Sequence, residues 1–95
     1  MITFEEAFEM AKQLSGRDDI DICNEDKNAY VFAKEGELAI GGELPIPILK
    51  RTGKAINMLY FIDNVADPEK LYLYDHKLID GVWHKEDWVD QDDME

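Results

Sequence analysis

The sequence predicts an α+β fold, with an N-terminal helix packed on a mainly antiparallel β-sheet, followed by a C-terminal hairpin and an acidic tail. Three observations carry that expectation. Residues 3–16 hold a capped apolar stripe of helical period. Several short apolar and aromatic runs follow, separated by turn-forming residues. Asp80-Gly81 then stands between Leu78-Ile79 and Val82-Trp83, the strongest short-range hairpin signal.

The helix is the best-specified element. Thr3 reads as its N-cap, and Glu6 completes a capping box. Phe4, Ala7, Phe8, Ala11 and Leu14 fall on one stripe, which marks a core-facing side. Glu5, Glu6 and Glu9 lie where the helix dipole favours acids. Gly16 is a natural stop, so the helix is expected over residues 4–15.

Strands are expected next. Ile20 and Ile22 alternate with Asp19 and Asp21, and Asn24 to Asn28 reads as a polar turn. Ala29-Tyr30-Val31-Phe32-Ala33 is apolar on both faces, as an interior strand would be. Leu38-Ala39-Ile40 suggests a further short strand before the Gly41-Gly42 bend. Pro45 and Pro47 bracket Ile46, which places that segment at an edge or bulge. Ile48-Leu49 and the apolar run from Ala55 to Ile62 read as a hairpin joined by Lys50-Arg51-Thr52-Gly53-Lys54. Leu71 to Tyr74 reads as one more strand. The expected core is Phe4, Phe8, Leu14, Val31, Phe32, Ile48, Met58, Tyr60, Ile62 and Leu73.

A chain of 95 residues makes one domain, expected here over residues 1–85 with an acidic tail over 86–95. It hides only roughly 60–65% of its unfolded surface, which leaves little room for a buried cofactor. No apolar run reaches about 18 residues, so no membrane span is expected. The N-terminus lacks the basic and apolar parts of a secretory signal, so the expected compartment is the cytoplasm.

Net charge is −12 and uneven. Residues 1–37 carry ten acids and four bases, residues 38–74 four of each, and residues 75–95 eight acids and two bases. Such a field repels nucleic acid and attracts basic surfaces.

Familiar catalytic and metal-binding patterns are missing. Ser15, the only serine, ends a helix, and Cys23, the only cysteine, permits no internal disulfide or cysteine-based zinc site. Nothing in the spacing pairs Cys23 with His76 or His84, and both histidines are expected to be exposed. The carboxylates of residues 19–26 lack the glycine of a calcium loop. No phosphate loop or dinucleotide fingerprint occurs. The expectation is a protein without catalytic residues, metal or cofactor.

Residues 29–58 have a distinctive order: Tyr30-Val31-Phe32, Gly41-Gly42, Pro45, Ile46-Pro47-Ile48-Leu49, then Lys50-Arg51-Thr52-Gly53-Lys54. This resembles the immunity protein 35 family of small bacterial immunity proteins. Members have an aromatic-rich strand, a Gly-x-Pro lead-in to an apolar strand and a Lys-x-Thr-Gly turn. Tyr30 stands where the family often has tryptophan. The resemblance implies a cytoplasmic protein that neutralises a toxin by tight binding, and it carries over no catalytic residue.

The expected function is therefore binding and inhibition of another protein, a toxin or a nucleic-acid-binding protein with a basic surface. The alternative is a nucleic-acid mimic, as in an anti-CRISPR-like phage protein. Six carboxylates fall within Glu86–Glu95. As a helix that segment spans about 15 Å, over which a DNA strand shows about four or five phosphates. The candidate binding residues are Trp83, Glu86, Asp87, Trp88, Asp90, Asp92 and Asp93, acids for steering and tryptophans as anchors.

Overall fold

The structure is a computed structural model that describes residues 1–37 and 44–88. Helix α1 spans Phe4–Ser15, and strands β1, β2 and β3 span Ile22–Glu25, Ala29–Ala33 and Ile46–Leu49. A short helical turn α2, Met58–Tyr60, runs directly into a π-helical turn, Phe61–Val65. Strands β4, Tyr74–Ile79, and β5, Val82–Asp87, form the final hairpin. All pairings are antiparallel, in the order β3-β2-β1-β4-β5.

Local chemistry sets the ends of α1. Thr3 accepts the Glu6 N–H at 3.1 Å, while Glu6 accepts the Thr3 N–H at 2.9 Å. Gly16 closes the helix at φ 70, left-handed backbone that glycine adopts without steric cost. Ala7 and Ala11 are fully buried, and Phe4 and Phe8 pack half-buried beside them. Leu14 is 60% exposed, against expectation. The last turn buries Ser15 instead, whose hydroxyl accepts the Arg17 N–H.

The sheet separates two apolar clusters. Cys23, Phe32 and Ile48 face α1, with Tyr30 and Trp83 packed against them. Val31 and Ala29 face the other way, onto Phe61 and Tyr72, with Leu49, Met58 and Trp88 alongside. The strict alternation of strand side chains produces this division. Two of the tight turns also depend on positive-φ backbone. Asp80 and Gly81, both at positive φ (52 and 80), make the tight turn expected between β4 and β5. A Cβ on Gly53 would lie 2.9 Å from Met10 Cε, so the turn before Lys54 packs closely against α1.

Several expectations change. β1 includes Asn24 and Glu25, so the polar turn is confined to residues 26–28. Ile48 and Ala55 form one isolated bridge, and the run to Ile62 is helical and not a strand. Asn57 caps it by accepting the Tyr60 N–H at 2.7 Å. Consequently Tyr60 and Ile62 are 52% and 56% exposed, while Met58 is half-buried. Leu71 to Leu73 precedes the strand, and Leu73 is half-buried. β5 extends the sheet past residue 85 through Asp87. Leu38-Ala39-Ile40 and Gly41-Gly42 lie outside the described residues.

Glu25 and His76 are buried beneath α1. The Glu25 carboxylate accepts from Lys50 Nζ at 2.6 Å and lies 2.7 Å from His76 Nε2. The Phe4 ring stacks over His76 at 4.5 Å. Burial raises the carboxyl, but the bonds to Lys50 and His76 outweigh it and hold Glu25 below its ordinary value of 4.5. Glu25→Ala should cost about 3–5 kcal/mol, because Lys50 is left buried without its partner. A depressed carboxyl contributes stability above its unfolded value, lost as pH falls through the folded one. Urea unfolding should therefore show the wild type losing stability below about pH 4.5, with a flatter profile for Glu25→Gln.

Candidate protein-binding surface

Most acids of the N-terminal third serve the fold. Arg17 grips Asp19 at 2.7 Å and Glu37 at 2.7 Å, and these hydrogen bonds hold both carboxyls below their usual range. Burial pushes Asp21 up, but Lys34 at 2.8 Å and the Glu35 N–H outweigh it. Asp26 is fully buried and accepts the N–H groups of Asn28 and Asp67 at 2.7 and 3.0 Å. It thereby fastens the chain after the π-helical turn to the β1–β2 turn.

Cys23 and His76 are direct cross-strand partners, a juxtaposition the sequence spacing did not indicate. The contact lacks the features of an activated thiol. Burial, then the Glu25 charge, pushes Cys23 well above its ordinary value, whereas a nucleophilic cysteine needs a lowered one. His76 directs Nε2 to Glu25 and is 6% exposed, contrary to the expected exposure, while His84 is exposed.

The acids of the hairpin have a different setting. Asp75 on β4 and Glu86 on β5 are direct cross-strand neighbours on the face away from α1. Neither has an ion pair among the described residues. Partial burial raises the Asp75 carboxyl above its ordinary value; Lys77 opposes the rise and Glu86 adds to it. Like charges directly opposite one another destabilise a sheet, so this pair works against the fold.

The candidate residues do not form one patch. Trp83 faces α1, with its ring 5.1 Å from Phe4 and 5.0 Å from Phe8. Trp88 packs on the other face, 5.1 Å from Tyr72, and its N–H donates to Leu73 O at 3.0 Å. Both tryptophans therefore cover core. Glu86 and Asp87 are exposed on β5, pointing to opposite faces in extended backbone and not in a helix. Asp90, Asp92 and Asp93 lie outside the described residues.

One surface was missed by sequence reasoning. Leu59, Tyr60, Ile62 and Leu71 are 76%, 52%, 56% and 44% exposed, all within one short stretch of chain. Large apolar side chains exposed together mark contact sites. The buried Phe61 between these side chains links the ridge to Trp88, the last described residue of the acidic segment. Phe61, next to Tyr60, stacks on Tyr72 at 6.4 Å, and Tyr72 in turn meets Trp88. The available signal was Asn57, a capping residue inside an apolar run without strand alternation.

No family model, curated protein or solved structure matches the chain.

If the Asp75–Glu86 contact opposes folding, Asp75→Asn should stabilise the protein. Because the Asp75 carboxyl is raised, its ionisation costs stability above its ordinary value of 3.8. The gain should be about 0.5 kcal/mol at neutral pH, or about 2–4 °C in a thermal melt. It should shrink as pH falls below that value, where the native side chain is protonated too.

Proposed function

We propose that this chain binds and blocks another protein, one whose contact surface is basic. The observation that carries the reading is the exposed ridge of Leu59, Tyr60 and Ile62, joined by the Phe61–Tyr72–Trp88 ring contacts to the root of the acidic C-terminal segment. An apolar centre beside charged surroundings is the usual anatomy of a protein interface. The net charge of −12 sets the sign of the partner and speeds encounter with it. The same charge disfavours an anionic bilayer as the ridge's target. Among the described residues no helix is long and apolar enough to cross a membrane.

The resemblance of residues 29–58 to the immunity protein 35 family supports the same reading, with a toxin as the protein blocked. A basic nucleic-acid-binding protein has the same complementary charge. In either case the acids provide steering and the ridge provides residence time.

The test begins with capture of basic host proteins at low salt, followed by binding kinetics on the retained partner. The double variant Leu59→Ser, Ile62→Ser should dissociate at least about tenfold faster, the scale of truncating interface anchors. Its folding stability should stay within about 0.5 kcal/mol, because both side chains are exposed. Replacing Asp87, Asp90, Asp92 and Asp93 by asparagine should slow association. That effect should fade as salt shortens the screening length below about 8–10 Å. Unchanged kinetics in both variants would sink the proposal.

A further inference from the structure

The two edges of the sheet are finished differently. At the β3 edge, Pro47 removes a backbone donor, and residues 53–56 fold back along the strand. Leu49 N–H donates to Lys54 O at 2.8 Å, Ile56 N–H donates to Pro47 O at 3.0 Å, and Ile48 bridges Ala55. Among the described residues β5 has neither device. It runs for six residues without proline, and β4 is its sole strand partner among the described residues. Lysine commonly guards such an edge. Here Lys85 is turned onto the sheet face, with Nζ 3.8 Å from the centroid of the Tyr74 ring.

The register identifies the open groups. In a hairpin with a two-residue turn, the residues flanking the turn, here Ile79 and Val82, exchange both backbone hydrogen bonds. Donation from Trp88 N–H to Leu73 O marks the same phase at the far end. The amides of Val82, His84 and Glu86 therefore face β4. Those of Trp83, Lys85 and Asp87 point away from the sheet.

We propose that β5 is a docking edge for an extended, basic segment of the partner protein, which adds as a sixth strand of the sheet. The inference rests on the reading of the chain as a binder of basic protein, and supplies its mode of contact. Charge selects the occupant. Glu86 and Asp87 end the open edge, Asp75 lies beside Glu86, and Asp90, Asp92 and Asp93 follow in sequence. A second copy of this chain would instead bring another −12 to the same edge.

Amide hydrogen exchange on the intact protein tests the proposal. The probe is a synthetic peptide of alternating lysine and valine, compared with one of alternating glutamate and valine. At about ten times its dissociation constant, the lysine peptide should slow exchange at Trp83, Lys85 and Asp87 about tenfold. Val82, His84 and Glu86 should change little, since β4 already protects them. Lys85→Pro removes an outward donor, a change that an edge strand tolerates, and should abolish peptide binding while the melting transition stays cooperative. Peptide binding without slower exchange at the three outward amides overturns strand addition and leaves the acidic-binder reading standing. No binding of the lysine peptide, by exchange or by tryptophan fluorescence, counts against both. Equal protection by the glutamate peptide overturns the charge selection. Protection that rises with protein concentration alone identifies a second copy as the occupant and overturns the proposal.

Discussion

The buried carboxylate of Glu25 is the point on which the arrangement of the elements depends. It takes Lys50 on one side and His76 on the other, tying the end of β3 to β4 through β1. The backbone of Lys50 also accepts the N–H of Ile2 at 2.9 Å, which fixes the chain just before α1. Phe4 then lies over His76, so the first turn of the helix closes the polar site from water. An ion cluster of this kind adds little net stability compared with an apolar replacement. Its effect is on arrangement, because Lys50 and His76 must converge on one carboxylate. An alternative packing would leave one of these three polar groups buried without its partner.

With Glu25 committed inside, the rest of the acid population divides by role. Asp19, Asp21 and Glu37 are held by Arg17 or Lys34, and Asp26 clamps backbone. Glu6 belongs to the helix cap. What faces outward without such commitments includes Asp75, Glu86 and Asp87. Net charge alone therefore overstates the acidity available to a partner at the N-terminal end.

The elements legible in the sequence are those governed by neighbouring residues. Thr3, Glu6 and Gly16 specify both ends of α1, and Asp80-Gly81 specifies the β4–β5 turn, because these interactions are completed within a few residues. Pro47 likewise marks an edge wherever its strand is placed. The run from Ala55 to Ile62 misled because apolar content does not distinguish a buried strand from an exposed helical turn. The cap by Asn57 decided it. His76 was illegible for another reason: its partner Glu25 lies 51 residues away, and only strand pairing brings them together. The candidate site was legible in its charge and not in its shape. The tryptophans expected to anchor a partner are engaged by the core, and the exposed anchors come from the misassigned run.

The division of the sheet into two faces also separates the molecule's intrinsic fluorophores. Its two tryptophans, Trp83 and Trp88, stand only five positions apart yet report on different clusters. Trp83 reads the helix side, among Phe4, Phe8 and Phe32. Trp88 reads the side of Tyr72 and the π-helical turn. Replacing either one by phenylalanine leaves a single emitter dedicated to one layer. Loosening of the helix and loosening of the ridge thus become separate optical signals in the same small protein, without any attached label.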